Sequence, residues 1–291
     1  MPAVFVLIWS TGFVVAKFGL PYAPPLGFLS IRYLLSLLCF LLWIQLARVS
    51  WPRGHQQWLH LAVSGVLIHA GYLGGVWMAI KLGMGSGLAA LMVGLQPVLT
   101  ALWVSSMASS QASNEKVSPR QWLGLALGFG GLILVVSRKF GSTQGVQEVT
   151  AFTVAAITVA LLSITAGTLY QKRYVAPADV RSANAVQIAA AFAVTLPLAL
   201  FETGAVTWTP QFIGALAWSV LVLTLGGSSL LYMLIQRGAA TTVTSLMYLV
   251  PPCTALMAWL LFAEPVTAVT VLGTAITAVG VSLVVRPAKP V

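Results

Sequence analysis

Charged residues are scarce in this chain of 291 residues, where they make up only 7% of the total. A soluble domain carries about 25% charged residues, so too few are present to cover a water-exposed surface of this size. A hydrophobic content of 59% excludes intrinsic disorder, and two cysteines exclude a disulfide-rich secreted scaffold. The remaining class is a polytopic membrane protein. We expect it to be all-α, because isolated strands cannot satisfy their backbone hydrogen bonds in lipid.

Acidic residues are the scarcest charged type, five against fifteen basic residues, and none lies at the centre of a predicted helix. Enzymes of phosphoryl transfer or metal-dependent hydrolysis need clustered acids or histidines. No lysine followed by serine or threonine comes after the glycine-rich stretch 83–87, so that stretch is not a phosphate loop. We therefore expect no enzyme, no metal and no cofactor.

Ten apolar segments predict ten transmembrane helices, each near the length of about 20 residues that a bilayer requires. They lie at 2–20, 26–47, 58–80, 86–107, 120–137, 150–171, 182–201, 211–234, 241–263 and 266–285. With a cytoplasmic N-terminus, ten of the fifteen basic residues fall in inner loops and the tail, and four fall outside. The positive-inside rule thus predicts cytoplasmic termini in a bacterial-type inner membrane. The net charge of +10 then reflects topology, and we expect no nucleic-acid partner.

The chain repeats itself internally. At an offset of 155 residues, 56–97 has 11 identities in 42 positions, and beyond the polar stretch 109–119 the offset becomes 149. This predicts two five-helix units, 1–140 and 150–291. Five is an odd number, so the second unit enters the membrane from the opposite side. Such inverted repeats are typical of secondary transporters with a central cavity between the halves.

The same stretches resemble a known family. They are WSTGF at 9–13, PLGFLSIRY at 25–33, the glycine-rich 79–97 with its second-half copy 239–251, and LFAEP at 261–265. In order and spacing they resemble the EamA-type transporters of the drug/metabolite transporter (DMT) superfamily, although Ala263 replaces a frequent glycine. The resemblance covers essentially the whole chain. It implies ten helices packed as two EamA-like halves, a central cavity, and export of small metabolites, with the YddG-type amino acid exporters as similar proteins.

Polar and aromatic residues within the predicted spans are cavity candidates, because such groups are costly against lipid. The candidates in the first and third spans are Trp9, His69, Tyr72 and Trp77. Those in the eighth span are Gly226, Gly227, Ser228 and Tyr232, which face the third span if the halves are related by the repeat. Packing between neighbouring helices is the alternative role for all of them.

Prolines at corresponding positions of the two halves predict interrupted helices, which point to a binding site. They are Pro97, preceded by Gln96, and the pair Pro251 and Pro252, with Tyr248 one turn earlier. Simple kinks that shape packing are the alternative. Two charged residues, Arg32 in the second span and Glu264 at a helix end, are candidates for a gate or a substrate contact.

The expected function is secondary transport by alternating access, exporting small metabolites and above all neutral or aromatic amino acids. Alternatives are export of another small solute or drug, a facilitated-diffusion pore, or a flippase for lipid-linked intermediates. The expected partners are a small-molecule substrate and the lipid bilayer. The oligomeric state stays open, and a monomer is compatible with the sequence.

Overall fold

The computed structural model describes residues 2–108, 119–139, 149–236, 250–264 and 266–285. Within these ranges the protein is all-helical, as the composition predicts. In chain order the helices are α1 (Pro2–Gly19), α2 (Pro25–Leu46), α3 (His55–Lys81), α4 (Ser86–Val93), α5 (Gln96–Ala108), α6 (Pro119–Lys139), α7 (Ala151–Tyr174), α8 (Val180–Ala199), α9 (Pro210–Gln236), α10 (Val250–Phe262) and α11 (Ala268–Val285).

Five of the described helices are long and apolar enough to cross a membrane, namely α2, α3, α7, α8 and α9. Other described helices carry shorter apolar stretches of 10–17 residues. Large hydrophobic side chains are exposed along the outside of the molecule, as expected where lipid is the solvent. The protein is thus a multi-pass membrane protein, while the number of ten spans stays a prediction.

Helices α3 and α9 share an irregularity. Each contains a π-helical segment, Val66–Gly71 in α3 and Ser219–Ser228 in α9. The offset of 155 residues places the first segment at 221–226, inside the second. A π segment inserts extra residues into a helix and is frequently found at functional sites. Its presence at corresponding positions supports the duplication that the sequence predicts.

The two halves pack against each other through corresponding contacts. Helix α1 packs on α9, and its counterpart α7 packs on α3. A Cβ added to Gly12 would lie 3.7 Å from the Leu223 side chain, and one added to Gly167 would lie 2.7 Å from the Ile68 side chain. Gly12 and Gly167 are separated by 155 residues, as are Ile68 and Leu223. The contacts therefore exchange when the halves are exchanged.

The last helices of the two halves, α6 and α11, cross at glycines. A Cβ on Gly131 would lie 2.6 Å from the carbonyl oxygen of Gly273, and a Cβ on Gly280 would lie 2.5 Å from that of Gly124. Here the offset is 149, as the sequence predicts for this part of the chain. Only glycine permits two backbones to come this close.

The predicted fourth span, 86–107, is interrupted. Helix α4 ends at Val93, and α5 begins at Gln96 after a short turn. The position of Pro97 explains the break, because a proline ring clashes with the carbonyl group four residues earlier, here that of Val93. A Cβ on Gly94 in this turn would lie 2.9 Å from Cγ of Pro251, so the break packs directly against the start of α10.

Candidate functional site

A cavity lies between helices of the two halves. About 30 Å³ of it admits the centre of a water molecule. That is room for about two waters, so a metabolite requires the helices to separate. The lining comes from α1, α2, α3 and α9 and consists of Trp9, Gly12, Phe13, Arg32, Ile68, His69, Tyr72, Leu73, Val76, Trp77, Leu223 and Ser228.

Aromatic rings form much of the wall. The rings of Trp9 and Tyr72 lie parallel, with centroids 6.1 Å apart and an interplanar angle of 2°. Trp77 is buried and stacks on Phe28 of α2, with centroids 4.3 Å apart. Phe13 is buried beside them. Flat apolar surfaces of this kind bind aromatic or apolar groups by stacking and exclusion of water.

One full positive charge reaches the cavity, on Arg32. The residue is 4% exposed, and its Nε donates a hydrogen bond to Oγ1 of Thr224 at 2.9 Å. The Thr224 hydroxyl in turn donates to the carbonyl oxygen of Ser219 at 2.8 Å. The Thr224 hydroxyl thus donates its proton to Ser219 and accepts the hydrogen bond from Arg32 through a lone pair. Within the described ranges the ion pairs are Lys17–Glu264 and Arg181–Asp179, so no described carboxylate neutralises Arg32.

Helix α2 contacts both π segments with adjacent residues. Arg32 bonds to Thr224 in α9, and the Tyr33 hydroxyl donates to the carbonyl oxygen of His69 in α3 at 2.9 Å. His69 and Thr224 correspond through the offset of 155 residues. His69 is only 3% exposed, and its imidazole lies edge-on to the Tyr33 ring. Two adjacent side chains of α2 thus hold equivalent points of the two halves at the cavity.

The structure brings together six of the residues singled out in the sequence. They are Trp9, Arg32, His69, Tyr72, Trp77 and Ser228, all in the cavity wall. Gly226 and Gly227 lie in the adjoining π segment, where a Cβ on Gly227 would come within 3.2 Å of Ile8. The absence of a side chain there lets α1 approach α9. The functional role of these residues stays a prediction.

Other candidates lie elsewhere. Gln96 at the start of α5 donates to Oγ1 of Thr168 at 3.2 Å and does not line the cavity. Tyr232 packs in a separate apolar cluster with Leu61 and Ala183. Tyr248 lies outside the described residues.

The prolines that the sequence predicts to interrupt helices also lie away from the cavity wall. Pro97 is buried just after the break between α4 and α5. Pro251 faces that break from α10, and Pro252 lines an exposed apolar groove between α10 and α11.

Glu264 lies at one end of the helix bundle, where it joins three chain segments. Its Oε1 is 2.8 Å from Nζ of Lys17 at the end of α1, and it accepts a hydrogen bond of 3.1 Å from the backbone N–H of Ser86 at the start of α4. The ammonium group of Lys17 also lies 4.7 Å from the centroid of the Phe262 ring. We call Lys17, Ser86 and Glu264 the clamp. It fastens α1, α4 and the end of α10 together.

Sequence reasoning missed three kinds of residue in this region. Phe13 and Leu223 appear in an apolar sequence as ordinary core residues, and no signal sets them apart. Thr224 could have been found from the repeat, because it is the counterpart of His69. Lys17 occupies a helix end where a lysine can also extend to the interface, so its pairing with Glu264 was not apparent.

The family comparison agrees with this duplicated architecture. The model of the EamA-like transporter family matches the chain twice, over residues 3–137 and 151–286. The chain belongs to the EamA-like transporter family. The resemblance seen in the sequence is thus confirmed, and each EamA match covers one of the two halves whose contacts correspond.

Individual relatives of this EamA protein are transporters by name. It is 26% identical to an "Uncharacterized transporter" of Archaeoglobus fulgidus, over 97% of this chain and 94% of the relative. It is 28% identical to the "Uncharacterized inner membrane transporter YedA" of Escherichia coli strain K12, over 98% and 91%. A shorter match, 30% identical, covers 45% of this chain and 40% of a "Probable amino-acid metabolite efflux pump" of Salmonella typhimurium.

A solved crystal structure shares the fold of this EamA protein. The superposition has a TM-score of 0.68 and covers 96% of this chain and 94% of the other, at 17% sequence identity. The helical arrangement is therefore that of a known architecture.

Proposed function

We propose that this EamA protein is a secondary transporter that exports small metabolites, above all neutral or aromatic amino acids. The observation that carries the proposal is the cavity between the two halves, with aromatic walls and a few polar groups. Small-molecule sites have this composition, and they commonly lie between helices of a bundle. The name of the Salmonella typhimurium relative, an amino-acid metabolite efflux pump, supports the same substrate class.

The proposed mechanism is alternating access. Ten helices in two inverted five-helix repeats, spanning 1–140 and 150–291, would rock around the cavity and open it to one side of the membrane at a time. The contacts that exchange between the halves support such symmetry. The clamp supports a closed end, because it ties α1, α4 and the end of α10 together where they must part for substrate to pass.

The proposed location is a bacterial-type inner membrane with both termini cytoplasmic. The charge bias of the loops supports this orientation. It places the clamp on the outer side, since α1 then runs outward and Lys17 lies at its outer end. Export would require the clamp to open when the loaded cavity turns outward.

Counterflow in proteoliposomes tests the proposed function. Vesicles loaded with an unlabelled amino acid mixture should accumulate the radiolabelled mixture transiently above equilibrium, whereas unloaded vesicles should not. Tyr72→Ala removes part of the cavity wall and should abolish the effect. Tyr174→Ala is the matched control, because Tyr174 is 47% exposed and lies outside the cavity.

The other outcomes distinguish the alternatives. Uptake without acceleration by internal substrate indicates a pore. Counterflow of drugs or other solutes, with amino acids inactive, indicates a different exporter, and activity on phosphoprenol lipids alone indicates a flippase. An inactive mixture with folded, inserted protein would contradict the amino acid assignment.

A further inference from the structure

Arg32 is a buried cation without a counter-ion among the described residues. It is 4% exposed and lies on a predominantly apolar helix. A charge removed from water is strongly destabilising unless an opposite charge or hydrogen bonds replace the lost hydration. Its one hydrogen bond to a described residue, from Nε to Thr224, uses one of five N–H donors. Ionisable residues inside a membrane protein commonly mark the path of a substrate.

The position of Arg32 suits a ligand rather than a structural partner. It belongs to the cavity wall, and its terminal nitrogens have no hydrogen-bonded partner in the described ranges. The Thr224 hydroxyl is itself fixed by the carbonyl oxygen of Ser219, so the bond at Nε holds the guanidinium in one orientation. A planar fork held in this way has the geometry that binds the two oxygens of a carboxylate.

We propose that Arg32 binds the carboxylate of the transported metabolite. This inference rests on the proposed function and narrows its substrate class. The substrates are monocarboxylates whose apolar or aromatic body lies against Trp9, Tyr72 and Trp77. One guanidinium balances one negative charge, so a doubly charged phosphate is a poorer match.

The amino group of the substrate is not required by the site. None of the described residues that line the cavity is acidic, so no carboxylate there forms an ion pair with an ammonium group. A carboxylic acid that lacks the amine should therefore bind as well as the amino acid. A compound that keeps the amine and lacks the carboxylate should bind poorly.

Three probes test this inference directly on the wild-type protein. They are L-phenylalanine, 3-phenylpropionate, which lacks the amine, and L-phenylalaninamide, which lacks the carboxylate. Competition with tritiated L-phenylalanine for binding to purified protein in detergent gives an apparent Kd for each probe. The first two should have similar apparent Kd values, and the amide should bind roughly 10- to 100-fold more weakly, the range expected for hydrogen bonds to a charged group. Equal binding of all three, or binding of none, overturns the inference.

Variants locate the effect. Arg32→Gln should remove the preference for the two carboxylates over the amide, and Arg32→Lys should keep part of it, because it retains the charge and loses the fork. Thr224→Val should weaken the preference by disordering the guanidinium. Gln96→Ala is the control, since Gln96 is polar and lies outside the cavity, and it should keep the full preference. An unchanged preference in a folded Arg32→Gln protein overturns the assignment to Arg32.

Failure of this inference differs from failure of the proposed function. Counterflow of the amino acid mixture together with equal binding of the three probes leaves an amino acid transporter whose site does not recognise the carboxylate. No counterflow with any amino acid, in folded protein, contradicts the proposed function itself.

Discussion

The clamp should control access to the cavity from its end of the molecule. Lys17 and Glu264 approach to 2.8 Å, which corresponds to a gross attraction of about 6 kcal/mol at an effective dielectric constant of about 20. Desolvation of Glu264, whose side chain is 8% exposed, offsets much of this attraction, and Lys17, 28% exposed, is partly screened by solvent. The ion pair should therefore stabilise the closed end by a net free energy of about 1–3 kcal/mol, a value similar to that of other hydrogen bonds between charged groups.

Removal of the ion pair should therefore raise the equilibrium ratio of open to closed states at this end of the molecule by roughly 5- to 150-fold. The assay is the reaction of a cysteine at position 12 with a membrane-impermeant thiol reagent, after Cys39 and Cys253 are replaced by serine. Gly12 lines the cavity and tolerates a side chain, because an added Cβ meets only Leu223 at 3.7 Å. Glu264→Gln should raise the labelling rate within that range.

Two further variants make the test specific. Exchange of the charges, Lys17→Glu with Glu264→Lys, should restore slow labelling only in part, because a lysine at 264 cannot accept the N–H of Ser86. Asp179→Asn is the control, since it breaks the other described ion pair, to Arg181. It should leave the rate unchanged. Labelling that stays within twofold of wild type in folded Lys17→Met and Glu264→Gln proteins would refute a gating role.

Three other substitutions have expected outcomes. Ala263 has a φ of 51°, a left-handed conformation that favours glycine, so Ala263→Gly should stabilise the protein by about 1 kcal/mol and raise its Tm in a detergent melt. Gly131→Ala should lower the Tm, because the added Cβ collides with α11. Gly130→Ala is the control and should leave the Tm unchanged, because the space around Gly130 is open. Equal Tm values for the two variants would contradict the close crossing of α6 and α11. Asp179 caps α8, and the Arg181 side chain holds the pKa of that carboxyl below its usual value. Asp179→Ala should thus destabilise by about 1 kcal/mol at neutral pH, and the difference from wild type should vanish as the pH falls below about 3.9 and through the lowered pKa.

Much of the architecture follows from the sequence. Scarcity of charge and long apolar runs predict membrane helices, because lipid permits little else. The offset of 155 residues predicts the duplication, which the two family matches support. Tyr72 and Trp77 lie in the cavity wall, since polar and aromatic groups within a span are better placed in the protein interior than against lipid, and their role there stays a prediction.

The partners of the charged residues could not be predicted. Lys17 and Glu264 are separated by 247 residues, and Arg32 and Thr224 by 192. Such contacts depend on how each helix is rotated about its axis, which hydropathy does not determine. The π segments are equally hidden, because they have the same apolar composition as the α-helical turns around them.

The repeat predicts the counterpart of Trp77 but not its surroundings. Trp77 stacks on Phe28 in the first half. At an offset of 155 residues, Trp77 corresponds to Tyr232 and Phe28 corresponds to Ala183. These two counterparts also lie together in one hydrophobic cluster. The correspondence of the pairs is therefore real. The surroundings differ, since Tyr232 packs with Leu61 and other apolar side chains rather than at the cavity. Sequence divergence between the halves thus leaves Trp77 in the cavity wall and its counterpart Tyr232 outside it.

The glycine crossing of α6 and α11 has a mechanical consequence. These helices interlock at two points, because an added Cβ on Gly131 or Gly280 would lie 2.5–2.6 Å from a carbonyl oxygen of the opposing helix. Sliding of one helix along the other would drive side chains such as Val135 into the opposing backbone. We expect this pair to act as a fulcrum. The remaining helices of each half would then pivot about it, and the distance from it would set how far each end of the molecule can open.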